Sequence, residues 1–291
     1  DFKILERQDA TFVSGLPVMV DFFFVLSGFV IAVSYRDRIA GVGDYGRFLK
    51  ARFARIYPLH FLTFIGMAAA GLAATRLGVK INHPEAFAAD GVAPTLFLTQ
   101  AWGVIDHQTF NAASWSLSAE FFVYLLAPLC FWLSRRLSLT AGLTLAVALF
   151  VGVEYLRAEN GARTIMLATY DMGMLRAVPS FLAGVFIATA TPRLARSLGG
   201  WARWSVAHGL GGAIIVGLWA GLAPAALVVL FATMMAIAAM CETRGLPSAL
   251  RSVPMRTLGD MSFAIYMLHG VDLVAIVLLR RLGWRDGGLI S

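Results

Sequence analysis

Eight mainly apolar runs of seventeen residues or more, at about 17–35, 57–77, 114–134, 138–156, 175–191, 205–221, 223–241 and 258–279, leave this chain few ways to fold. A hydrocarbon core of ~30 Å is crossed by a helix of ~20 apolar residues, and fewer suffice when flanking side chains snorkel. Of the 291 residues 59% are hydrophobic and only 14% charged, with a mean hydropathy of +0.74, so one soluble core could not hide the apolar surface. The pattern predicts an all-α, polytopic transmembrane helical bundle of about eight spans. The stretch 92–105 is apolar but short and contains Pro94, Gln100 and Gly103, which makes it an interfacial or re-entrant segment instead of a crossing.

Lysine and arginine orient the spans. Fourteen of them (Arg36, Arg38, Arg47, Lys50, Arg52, Arg55; Arg135, Arg136; Arg193, Arg196, Arg203; Arg244, Arg251, Arg256) fall in alternate loops, which places those loops in the cytoplasm. The other loops and span ends hold eight: Arg76, Lys80, Arg157, Arg163, Arg176, Arg280, Arg281 and Arg285. The alternation holds only if 92–105 does not cross. This topology also accounts for the formal charge of +7 without a nucleic-acid partner, since the basic residues sit between apolar runs and form no basic domain. Cys130 and Cys241 have neither disulfide nor metal spacing, and no cluster with ligand spacing calls for a metal. With no internal repeat and no long linker, 1–291 reads as a single transmembrane domain. The orientation puts Lys3 and Arg7 outside, which asks for an earlier span; Asp1 in first place and the helix-like Gly287–Ser291 suggest a chain cut at both ends.

Four stretches carry polar groups where apolar ones would be expected. Asp21 stands at the mouth of the first span, followed by Ser27 and Gly28, a pair suited to close helix packing; Asp21 is then either an interfacial anchor or part of a polar site. Lys50, Arg52 and Arg55 precede the span that contains Pro58 and His60. Arg52 and Arg55 share a helix face at i, i+3 and could grip a phosphate together, or simply meet lipid headgroups. Glu120 lies inside an otherwise apolar helix, with Ser116 one turn before it and Tyr124 one turn after; an intramembrane carboxylate marks a site unless an arginine from another helix pairs with it. Ser262, Tyr266 and His269 recur at i, i+4 and i+7, a polar stripe that needs a cavity or a partner.

Taken together, these stretches resemble the bacterial acyltransferase-3 family. The matching pieces are Asp21-Phe-Phe-Phe-Val-Leu-Ser-Gly-Phe29, Arg52-x-x-Arg55-Ile-x-Pro58, Trp115-Ser-Leu-Ser-x-Glu120 with Tyr124, and Ser262-Phe-x-x-Tyr266-x-x-His269, in the family's order. The resemblance implies a multi-pass enzyme of the bacterial inner membrane that takes an acyl group, commonly acetyl, from cytoplasmic acyl-CoA. Its acceptors would be hydroxyls of carbohydrates or lipid-linked glycans, such as lipopolysaccharide O-antigen, exopolysaccharide and Nod factors, or of macrolides. It further implies that Arg52, Arg55 and Lys50 hold acyl-CoA and that Glu120 tunes a catalytic site shared with Ser116, Tyr266 and His269. Asp21 and Ser262 would contact the substrate. The family pattern starts with a span bearing an Arg and, about three turns later, a His regarded as the catalytic base; no such span stands between Asp1 and residue 17.

The competing class is a proton-coupled or small-solute transporter in which Glu120, His269 and the arginines line a path without making bonds. Transporters built from inverted repeats carry paired broken helices, and this sequence has no matching pair.

Overall fold

The computed structural model describes residues 17–79, 81, 83–162, 164–194, 200–243 and 251–281, with side chains at all of these except 194, 200–205, 224, 243, 270 and 272–281. Lys3, Arg7 and the 287–291 segment lie outside the described residues. The described chain is all-α, with helices α1 (Val18–Tyr35), α2 (Val42–Arg76), α3 (Val92–Leu96), α4 (Trp115–Arg136), α5 (Leu139–Glu159), α6 (Gly173–Leu194), α7 (Gly200–Trp219), α8 (Pro224–Thr243) and α9 (Val253–Arg281). The eight long helices coincide with the eight apolar runs. Among the described residues six of them (α1, α2, α4, α5, α6 and α8) are long and apolar enough to cross a membrane, while α7 contributes a shorter apolar stretch, Val206–Trp219.

Two differences from the sequence expectation are informative. The basic stretch before residue 57 is mostly helix and not loop: α2 runs for 35 residues, about 52 Å at 1.5 Å per residue, well beyond the ~30 Å core. Its Leu, Lys, Ala and Arg residues are strong helix formers, and positive charge alone does not break a helix. Pro58 removes one N–H from the ladder without ending it. The 92–105 stretch contains only the five-residue α3, followed by turns in which Leu98 adopts a positive φ of 55°. A rise of ~7.5 Å cannot cross the bilayer.

By internal packing the chain forms two units. The first takes α1, the start of α2, α4 beyond Phe121, α5, α6 from Met174, α7 and α8. The second takes α2 from Lys50, α3, the start of α4, Thr169–Gly173 and α9.

Within the first unit the direction of the helices is fixed by their contacts. Gly28 faces the Phe181 backbone, and Gly184 faces Val25 and Phe29, so closely that a Cβ on either glycine would overlap backbone atoms of the other helix. The Asp21–Arg176 pair precedes both glycine contacts along each helix, so α1 and α6 run parallel. The stacking of Phe22 on Phe231, at 4.7 Å between centroids, and the packing of Val25 with Met235 make α1 and α8 parallel as well.

Candidate functional site

A buried charge pair anchors the first unit. Arg176, near the start of α6, donates from Nε to both Asp21 carboxylate oxygens (3.0 and 3.2 Å) and from Nη2 to Oδ2 (2.6 Å), and both side chains are 2% exposed. Its remaining N–H groups reach the carbonyls of Pro17 (2.7 Å) and Ala168 (3.4 Å). This near-complete satisfaction is what makes a desolvated guanidinium tolerable. An arginine from another helix thus pairs with Asp21, a partner that the sequence pattern of Arg176, an orienting charge at a span end, does not reveal.

In the second unit a set of neutral hydrogen bonds gathers around the start of α4. Asn111 accepts from Ala113 N (3.2 Å), capping a 3-10 turn at Ala112–Ser114, and donates from Nδ2 to the Met267 carbonyl (2.9 Å). Gln100 donates to the carbonyl (3.1 Å) and hydroxyl (3.2 Å) of Ser114. Ser118 Oγ accepts from Ala101 N (3.0 Å) and donates to the Leu98 carbonyl (2.7 Å), tying the 98–101 turn to α4. His60 Nε2 donates to the Thr95 carbonyl (2.8 Å), and the Thr95 hydroxyl pairs with that of Thr109 (2.8 Å). Gln100 is marked in the sequence as a polar break in the 92–105 stretch, and Ser118 falls inside the Trp115-Ser-Leu-Ser-x-Glu120 motif; Asn111 and Thr95 belong to no motif. Their signal was available: amides and hydroxyls recurring through an apolar stretch that has no helix to satisfy its backbone.

The expected site residues are distributed as follows. Glu120 is half-buried on α4 and has an interaction partner. Ser116, one turn earlier, is buried and donates to the Ala113 carbonyl (3.0 Å), which also accepts from the Tyr266 hydroxyl (3.2 Å). Ser116 and Tyr266 therefore meet at one backbone oxygen. On α9, Ser262 and His269 are exposed and bonded to their own helix, to the carbonyls of Gly259 (2.7 Å) and Tyr266 respectively. The stripe is thus not uniform, since only Tyr266 turns toward α4. Arg52 is half-buried and partnered, whereas Lys50 and Arg55 are exposed. The i, i+3 arginines accordingly sit in different environments despite their shared face. His60 is buried and hydrogen-bonded. Beyond the spans, a hydrogen bond from His107 holds the Asp106 carboxyl below its ordinary range.

Comparison with known proteins gives a coherent result. The family described as an acyltransferase domain, acyltransferase-3, matches residues 4–288. Acyltransferase MdmB of Streptomyces mycarofaciens is 31% identical over 276 residues, covering 87% of this chain and 67% of that protein. Protein 2 in the picA locus of Rhizobium radiobacter is 35% identical over 147 residues, 45% of this chain and 74% of that protein. No solved structure matches the chain significantly. With nearly the whole chain inside the family's pattern and multiple membrane-spanning helices, this protein belongs to the acyltransferase-3 family and is a membrane acyltransferase.

Proposed function

We propose that this enzyme moves an acyl group, acetyl in the simplest case, from cytoplasmic acyl-CoA to a hydroxyl of a carbohydrate or lipid-linked glycan at the bacterial inner membrane. In that reaction the acceptor oxygen attacks the thioester carbonyl, a C–O bond replaces the C–S bond, the hydroxyl proton passes to a base and CoA leaves as its thiol. The chemistry asks for a group that takes or orients that proton and for cations at the donor's phosphates. For the first need, by the family pattern the proton would pass to the His of that pattern's first span, and Glu120 would orient or tune that site, with Ser116, Tyr266 and His269 lining it and Ser262 at the substrate. Arg52, Arg55 and Lys50 serve the second, from the cytoplasmic side on which the positive charge of the 36–56 segment places them. Asp21, engaged by Arg176, would reach substrate only through the cavity it borders.

The observation that carries this reading is the half-buried Arg52 beside an exposed Arg55 at the family's Arg-x-x-Arg position. Lipid anchoring alone would leave both outside, where anionic headgroups are. In membranes supplied with radiolabelled acetyl-CoA and a glycan acceptor, Arg52→Lys with Arg55→Lys should raise the KM for acetyl-CoA and leave that for the acceptor unchanged, because Lys keeps the charge but not the planar fork. Glu120→Gln should remove most turnover while membrane insertion persists. An unchanged acetyl-CoA KM in the double variant would return the arginines to the role of anchors. Solute or proton flux without acyl transfer would favour the transporter.

A further inference from the structure

In the first unit, Arg36 just past α1, Arg135 near the end of α4 and Arg193 near the end of α6 line one cleft of about 410 Å³, together with Ser134, Ser138 and Thr189. Three positive charges from three helices repel one another unless something anionic lies between them. The nearby carboxylate, Asp37, is 3.3 Å from Arg36 and 3.9 Å from Arg135, but it is 81% exposed and offsets only one charge. Arg135 is further held by the Arg36 carbonyl, which fixes its guanidinium at the cleft. Positive-inside topology would be satisfied by scattered arginines, such as Arg136, which lies over the Trp132 ring. It does not explain convergence on one concavity.

Directly beside this cleft lies a second cavity, of about 640 Å³, with walls from α1, α5, α6 and α8. Leu139 lines both spaces. Along α5 the second cavity extends from Leu139 to Val151, about 18 Å at 1.5 Å per residue and so over half of a ~30 Å hydrocarbon core. Its walls are almost wholly apolar, and alanines at 146, 183, 232 and 236 keep it open where larger side chains would close it. A basic cleft at the end of a helix bundle, sharing its Leu139 wall with an apolar slot running into the span, offers an anionic head and a hydrocarbon chain adjacent places, the two halves of a single lipid.

We propose that these adjacent spaces bind one phosphate-headed lipid, with its phosphate among Arg36, Arg135 and Arg193 and a hydrocarbon chain passing Leu139 into the cavity bordered by Ala146, Phe150 and Ile187. The site is distinct from the proposed donor arginines Arg52 and Arg55, and it does not depend on that assignment. A soluble phosphate would use the cleft but leave the slot without purpose; a neutral lipid would fill the slot but leave the arginines uncompensated.

The test uses the purified protein in neutral detergent, with lipid retention read by native mass spectrometry and by thermal stabilisation. The probes are dioleoyl phosphatidylglycerol, dioleoyl phosphatidylcholine, glycerol 3-phosphate and coenzyme A. Phosphatidylglycerol should be retained at least about five-fold more strongly than phosphatidylcholine, with a further loss of about five-fold for each of Arg135→Gln and Arg193→Gln. Ala146→Phe should abolish retention with the arginines intact, and Ala183→Leu serves the same purpose if the phenylalanine prevents folding. Equal retention of the two lipids by the unaltered protein overturns the proposal and needs no variant. If glycerol 3-phosphate and coenzyme A stabilise the protein as much as phosphatidylglycerol does and Ala146→Phe changes nothing, the cleft binds soluble phosphates and the lipid assignment is wrong.

Discussion

The two units show two different ways of burying polar groups. In the first, one carboxylate and one guanidinium neutralise each other between α1 and α6, beside two glycines that bring the same helices into backbone contact. In the second, Asn111, Gln100, Ser118, Thr95 and His60 carry no partner charge and bond almost entirely to backbone carbonyls and N–H groups. The contrast follows from what each has to satisfy. Regular helices meet their own backbone needs, so α1 and α6 require only a specific staple. The 97–114 segment is irregular, with unsatisfied backbone groups that an apolar environment does not forgive, and neutral amides and hydroxyls supply bonds to them one at a time.

The largest effect should come from separating the charge pair. Arg176→Ala leaves Asp21 buried and uncompensated, at a cost of about 3–5 kcal/mol, whereas Asp21→Leu combined with Arg176→Met should be close to neutral. Unfolding of both variants in detergent checks this, and equal losses would mean that the pair is not the staple described. Next comes the glycine contact: Gly184→Val places a side chain on the Val25 carbonyl and Phe29 N–H, and overpacking of this kind costs about 3 kcal/mol. A thermal scan that leaves Gly184→Val unchanged would show that α1 and α6 are free to separate. The smallest effect belongs to the neutral network, where Asn111→Ala should cost about 1–2 kcal/mol by stranding the Met267 carbonyl and the Ala113 N–H. Asn111→Asp sharpens the point, since it keeps the acceptor for Ala113 and loses the donor to Met267. If Asp restores full stability, only the cap matters.

Much of this was legible beforehand. The eight long helices follow the apolar runs because hydrophobic length is a one-dimensional property, and the short 92–105 stretch was readable as a non-crossing element from its length and its Pro, Gln and Gly. The family resemblance rested on four spaced motifs, and the match over residues 4–288 agrees with it. Less visible was which polar residue pairs with which. Asp21 and Arg176 are 155 positions apart, and nothing local to either names the other. The shared face of Arg52 and Arg55 was correctly periodic, yet it could not reveal that one is half-buried and the other exposed.

By itself, then, the sequence determined the class of solvent and the number and approximate places of the long helices, because each depends on residues within a turn or two of one another. Tertiary structure alone decided that α1 runs parallel to α6 and α8, that Arg176 staples Asp21, that Tyr266 and Ser116 share the Ala113 carbonyl, and that Arg36, Arg135 and Arg193 surround one cleft. Those outcomes depend on which helices become neighbours. Helix packing between apolar faces is selected by the fit of small residues and by the few buried polar groups that have to find a partner, and both are properties of pairs of segments, not of either one alone.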